Sequence, residues 1–158
     1  MKTLVVDEKK CCGCRICEQW CSWTHEGCVN PTMTRIKVIK LHEQYLNLPL
    51  TCTQCVNAPC INSCTFGALT KDQNTGAVLV IEDLCVGCRK CVKACPNGVV
   101  SIHKEKRKAL ICDLCQGAPK CVELCPMGAI QYQDVSLEGR VQQAEAALQI
   151  TCAKERCE

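Results

Sequence analysis

The stretch CCGCRICEQWC, residues 11–21, carries cysteines at positions 11, 12, 14, 17 and 21. With Cys12 set aside, Cys11, Cys14, Cys17 and Cys21 follow the spacing C-x2-C-x2-C-x3-C. The same spacing returns at Cys85, Cys88, Cys91 and Cys95, with Pro96 after it. A second run, Cys52, Cys55, Cys60 and Cys64, widens the middle gap to four residues; a fourth, Cys112, Cys115, Cys121 and Cys125 before Pro126, widens it to five. All four runs close on x3, so the chain repeats one device four times.

Composition says what that device must do. The 158 residues hold 20 cysteines but one Phe, two Trp and two Tyr, too few large side chains to fill an ordinary core. Cross-links or metal groups held by cysteine must fill it instead. Disulfides need an oxidising compartment, and MKTLVVDEKKCCGC has a four-residue apolar run and then charge, without the apolar core of a signal peptide. The expectation is therefore a cytoplasmic, metal-holding chain. No apolar run approaches a membrane span, so direct insertion is not expected. The net charge of +3 is slight, and HKEKRKA at 103–109 reads as a solvated loop, with a docking patch for an acidic partner as the sharper alternative. Nucleic-acid binding is not read from it. A Ser-His-Asp set, a G-x-G-x-x-G fingerprint and a P-loop are all missing, so independent enzymatic turnover is not expected.

Three cysteines at C-x2-C-x2-C wrap the backbone around one corner of a 4Fe-4S cubane, and a fourth ligand then comes from elsewhere. In two-cluster ferredoxins the last cysteine of each run crosses to the other cluster. Sixteen cysteines in four runs supply four 4Fe-4S clusters on this reading. Zinc is the bland alternative. It uses pairs of C-x-x-C knuckles, often with His, whereas a third close cysteine would crowd a tetrahedral ion, and His25, His42 and His103 complete no such pair.

Between the runs, CTFGALT, CPNGVVSI and CPMGAIQY each read as a helix end, a glycine turn and a strand. TGAVLVIEDLC gives a turn at Asn74 to Gly76 and a strand, and RIKVIKL at 35–41 alternates as an edge strand. The expected fold is α+β, a duplicated two-cluster ferredoxin-like plan over residues 1–135.

The segments CCGCRICEQWCSWTHEG, NPTMTRIKVIKL, PLTCTQCVNAPCINSC, CVGCRKCVKACPNGVV and CDLCQGAPKCVELCPMGAI, in this order, resemble four-cluster iron-sulfur electron-transfer subunits. Those subunits accompany molybdenum- or tungsten-pterin oxidoreductases. The chain is also similar to ferredoxin-like subunits of carbon monoxide dehydrogenases and hydrogenases, and subunits serving formate oxidation carry similar strings. CS-x2-HEG followed by NP-x3-RIKV looks most like the small subunit of tungsten aldehyde oxidoreductases and their benzoyl-CoA reductase relatives. The resemblance covers residues 3–133. It implies that runs 11–21 and 112–125 form one half and that runs 52–64 and 85–95 form a half inserted within it. It also implies ligand sets of Cys11, Cys14, Cys17 with Cys125; Cys112, Cys115, Cys121 with Cys21; Cys52, Cys55, Cys60 with Cys95; and Cys85, Cys88, Cys91 with Cys64. Spacing alone does not distinguish this from pairing the first run with the second. Thr65 departs from the family, where Pro often follows the second run.

The function so implied is a non-catalytic, one-electron relay between a large tungsten- or molybdenum-pterin subunit and a redox partner, a ferredoxin or a flavin-NAD subunit. All-cysteine ligation favours low potentials. The alternative is a freestanding polyferredoxin or an electron-transfer subunit of a formate dehydrogenase, hydrogenase or carbon monoxide dehydrogenase, and a zinc-binding structural module is a distant one. Trp20 and Trp23 are expected to pack over a cluster and exclude water, and His25 to make a hydrogen bond near it. Cys12, Cys28, Cys152 and Cys157 are left over as incidental thiols, a fifth metal site being the sharper reading. Residues 136–158, with Ser136 as N-cap and Leu137, Val141, Ala144 and Leu148 on one face, read as an amphipathic helix that packs on its own body or, on the sharper reading, grips the catalytic subunit or another copy of the chain.

Overall fold

The computed structural model describes residues 2–41 and 45–136. The amphipathic helix expected over 136–158 falls almost wholly outside them, as do His42, Cys152 and Cys157.

Four small antiparallel ladders, four α-helices and several short 3-10 turns make up the described residues. β1 (Lys2–Val6) pairs with β8 (Ile130–Asp134), so the first and last described strands lie side by side with Leu4 opposite Tyr132. β2 (Lys37–Leu41) pairs with β3 (Leu46–Leu50), where Val38 faces Pro49; a two-stranded ladder is all edge and tolerates that proline. β4 (Leu69–Lys71) pairs with β5 (Val78–Val80), and β6 (Ser101–Ile102) with β7 (Ala109–Leu110). β2, β4, β5, β6 and β8 fall where the sequence places strands.

The helices begin inside or just after the cysteine runs. α1 (Ile16–Glu26) is the longest, and it ends at Gly27, whose φ of 68° lets its N–H reach the Trp23 carbonyl at 2.9 Å. α2 (Pro59–Asn62), α3 (Lys90–Ala94) and α4 (Lys120–Glu123) are single turns. α1 packs on α4 and α2 on α3. Cys17, Glu18, Cys21 and Ser22 form the inward face of α1. That face leaves Trp20 and Trp23 outside, 41% and 53% exposed, which corrects the expectation that they cover a cluster.

The interior is divided into two hydrophobic clusters. One gathers Cys52, Cys60, Leu69, Val78, Cys85, Cys91, Val100 and Ile111; the other gathers Leu4, Cys17, Cys21, Ile36, Val38, Leu114, Cys121 and Ile130. Cys112 packs against both and so marks their junction. Cysteine takes core positions that Phe and Leu hold elsewhere, as the composition requires.

A buried carboxylate ties the two regions together. Glu26, at the end of α1, meets Lys106 Nζ, His103 Nε2 at 3.5 Å and Arg35 Nη2 at 3.5 Å. His103 is 2% exposed, and its Nδ1 accepts from the Glu105 and Lys106 amides, so the other ring nitrogen carries the proton toward Glu26. Lys108 Nζ donates to the Glu82 and Cys85 carbonyls. The 103–109 segment is therefore pinned at three residues and is not simply a solvated loop.

Burial alone would raise the Glu26 carboxyl, but Lys106, then Arg35 and His103, hold it below the ordinary carboxylate value. A depressed folded-state value means that its stabilisation is present above the unfolded carboxylate range and is lost as pH falls through the folded value. Glu26→Ala is expected to destabilise the fold by about 3 kcal/mol, because Arg35 and His103 lose a buried partner. Lys106→Ala removes a half-exposed partner and is expected to change stability by less than about 1 kcal/mol. Equal denaturant midpoints for the two variants would contradict the assignment, as would acid sensitivity of Glu26→Gln identical to that of the native chain.

Candidate metal centres

Three hollows each combine three cysteines of one run with the last of another. Cys11, Cys14, Cys17 and Cys125 line the first together with Cys12, with Ile16, Val38 and Ile130 as apolar walls. Cys112, Cys115, Cys121 and Cys21 line another, between Leu4, Ile36 and Leu114. Cys85, Cys88, Cys91 and Cys64 line the third, beside Phe66, Leu69 and Ile102. Of the remaining four, Cys52 and Cys60 belong to one apolar core and Cys95 packs against it; burial raises the Cys52 thiol to about 12 against a lowering backbone hydrogen bond at Gln54, with the Cys55, Cys95 and Cys60 thiols adding to the rise.

Local backbone makes these loops possible. The residue before the second cysteine of each run has a left-handed backbone: Gly13 at φ 72°, Gln54 at 51°, Gly87 at 67° and Leu114 at 57°. This bend turns successive thiols toward one point, and only glycine adopts it without strain. Arg15 and Arg89, one residue after the second cysteines of the first and third runs, take it too, at 60° and 64°. Backbone amides then point at sulfur: the Arg35 N–H donates to Cys21 Sγ at 3.3 Å, Ala109 to Cys85 at 3.4 Å and Ala129 to Cys125 at 3.3 Å.

The donor chemistry fits a bound cationic group. Burial pushes the Cys17 and Cys121 thiols up to about 12 and Cys60 to about 11, and raises Cys112 well above its ordinary value. A bare thiol there keeps its proton, and metal binding replaces that proton. The spread of the sulfurs argues against a single zinc ion, which at about 2.3 Å per ligand would draw four thiolates to within about 4 Å of one another. Among the described residues the one trio of ligand atoms gathered within 4.8 Å is His25, Asp113 and Cys115, not three cysteines.

His25 bridges two runs. Its Nδ1 lies 2.8 Å from the Cys21 carbonyl and its Nε2 3.0 Å from the Asp113 carboxylate, while Asp113 accepts from the Cys115 amide. Its ring is raised to about 12, with the Asp113 hydrogen bond as the largest cause, followed by Cys115 and Cys21. Cys12 and Cys28 are exposed. Thr65, in place of a proline, accepts from Lys90 Nζ at 3.3 Å. Sequence reasoning missed Lys71 and Lys108, whose ammonium groups sit on cysteine-loop carbonyls, Lys71 on Cys55 and Val56 and Lys108 on Cys85. A lysine at the end of a short strand, like Lys71, or just before one, like Lys108, carries no signal for that role.

Small ladders and short helices wrapped around cysteine-lined hollows define a ferredoxin-like iron-sulfur protein. The chain belongs to the 4Fe-4S dicluster domain family, which it matches over residues 43–135. It is similar to the aliphatic sulfonate oxidoreductase polyferredoxin-like subunit of Pyrococcus furiosus, 48% identical over 109 residues, 69% of this chain and 62% of that protein. It is 38% identical to the electron transport protein HydN of Escherichia coli, over 63% of this chain and 58% of HydN. The arsenate respiratory reductase iron-sulfur subunit ArrB of Shewanella sp. (strain ANA-3) is 34% identical over 63% of this chain and 44% of its own length. The matches thus span less than two thirds of these relatives. The active-site complex BamBC of benzoyl coenzyme A reductase with benzoyl-CoA contains a similar fold, at 26% identity, a TM-score of 0.50, and coverage of 92% of this chain and 88% of that one. No helix among the described residues is long and apolar enough to cross a membrane.

Proposed function

We propose that this chain is a non-catalytic electron-transfer subunit that holds four 4Fe-4S clusters. It would relay electrons singly between a tungsten- or molybdenum-pterin catalytic subunit, aldehyde oxidoreductase-like, and a ferredoxin or flavin-NAD partner in the cytoplasm. The observation that carries the reading is the crossing of cysteines between runs. The ligand sets are Cys11, Cys14, Cys17 and Cys125; Cys112, Cys115, Cys121 and Cys21; Cys52, Cys55, Cys60 and Cys95; Cys85, Cys88, Cys91 and Cys64. The two cores, each holding two such sets, support a duplicated two-cluster plan over residues 1–135.

When bound, such clusters accept and release one electron apiece without making or breaking a substrate bond. The protein's part is to exclude water, to aim amides at sulfur and to set the order of the row. Cys112 packs against the core that holds Cys52 as well as the one that holds Cys21 and Cys121, which supports their two sets as the inner pair. Cys14 and Cys88 are exposed, which leaves the first and third runs as the ports. Lys71 and Lys108 supply positive charge beside anionic clusters and so favour the reduced forms. The names of the sulfonate oxidoreductase and arsenate reductase relatives support a subunit role over a freestanding polyferredoxin.

The test is anaerobic purification of the untagged complex with tungsten and molybdenum counted per chain. Stoichiometric tungsten or molybdenum is the expected result. Full iron without either metal would overturn the pterin-subunit reading in favour of the freestanding shuttle or a different enzyme partner.

A further inference from the structure

The left-handed position before the second cysteine is not used in the same way in all four runs. At Gly87 there is no room for a side chain, because a Cβ would strike the Arg107 carbonyl, and at Gly13 a Cβ would have to displace the Asn47 side chain. At the equivalent positions of the two inner runs, Gln54 and Leu114 keep φ values of 51° and 57° with full side chains, both buried. Each accepts strain of about 1 kcal/mol, and strain kept at a site points to what the residue does there. Leu114 fills the core around Cys21 and Cys121. Gln54 is 2% exposed and polar, and both ends of its amide are engaged. Its Nε2 donates to the Cys112 carbonyl at 2.7 Å, and its Oε1 accepts from the Val78 amide at 3.0 Å.

That geometry runs from one ligand loop to the other. Gln54 lies within the Cys52–Cys55 loop, and its hydrogen bond ends on the first cysteine of the fourth run, 58 residues away. Cys112 packs against both cores. Electron tunnelling decays more slowly through bonds and hydrogen bonds than through space, and this amide spans the junction between the inner ligand sets. We propose that Gln54 is a positioning residue that couples the two inner cluster sites, setting both the spacing of their loops and the path of an electron crossing between the halves. One electron leaves a reduced cluster as one arrives on an oxidised cluster, with no bond made and no proton moved. The inference rests on the four-cluster reading above.

The test uses the full chain with its clusters, prepared anaerobically as Gln54→Met and Gln54→Glu beside the native protein. Met keeps the length and removes both hydrogen bonds; Glu keeps the acceptor toward Val78 and, read at a pH where its carboxyl is ionised, loses the donor toward Cys112. Iron and sulfide are counted first, and the spin-spin interaction between reduced clusters and the rate of transfer after flash reduction are then read. Both variants are expected to weaken the interaction across the junction and to slow crossing severalfold, while transfer within each half stays native. Full iron with native interaction and native crossing in both variants would overturn the role of Gln54. Native protein without four clusters would instead overturn the reading beneath it. Should Gln54→Met lose iron, Gln54→Glu decides alone: full iron with native crossing overturns the role, and full iron with slowed crossing supports it.

Discussion

Cys112→Ser is expected to lower the iron content by about four atoms per chain and to stop electrons passing from one half to the other. Cys112 packs against both cores, one holding Cys52 and the other Cys121, and burial holds its thiol well above the ordinary value. Serine supplies a harder and less acidic donor, so the buried corner loses the soft thiolate that iron-sulfur clusters take. Cys12→Ser is the matched control. Cys12 lines the first hollow beside the proposed ligands Cys11 and Cys14 but lies outside the repeated spacing, so its replacement is expected to leave iron unchanged. Iron, sulfide and integrated spin measured on both variants check the contrast. Full iron in Cys112→Ser, or a loss of four in Cys12→Ser, would contradict the ligand assignment.

Gly87→Ala is expected to be far more damaging than Gly13→Ala. Both positions have a left-handed backbone, which alone is worth about 1–3 kcal/mol against alanine. The difference lies in the obstacle. At Gly87 the new methyl meets the backbone carbonyl of Arg107, which belongs to the hairpin pinned through Lys108 and Glu26. At Gly13 it meets the end of the Asn47 side chain, which can turn away at the expense of its bond to the Cys11 carbonyl. Gly87→Ala is therefore expected to lose the cluster of the third run, and Gly13→Ala to keep all four with a lower unfolding midpoint. Iron content and denaturant midpoints of the two variants check it; equal losses would contradict the asymmetry.

What can be read from the sequence follows from the range of each interaction. A cluster loop is local: three ligands close together in the chain leave a spacing that can be recognised, and the turns at Gly67, Gly98 and Gly128 announce strands at once. The β1–β8 pairing is not legible, because it joins residues at opposite ends of the described chain. Glu26 and Lys106 are 80 residues apart and of ordinary type, and nothing in HEG or KEKRK hints at their meeting. Gln54 is equally hidden, since its kinship with Gly13 and Gly87 shows only in the backbone angles. Trp20 and Trp23 mislead for a different reason. Nearness to Cys21 in the sequence is not nearness in space, because the helical period that carries Cys17 and Cys21 inward at i and i+4 turns both indoles out.

Four runs of cysteine holding four clusters would double the content of the matched family, which is a two-cluster domain. Iron and acid-labile sulfide counted per chain, on protein purified without oxygen, decide between the two contents. About sixteen of each is the predicted result, as four cubanes require. About eight of each, or zinc in place of iron, would contradict it.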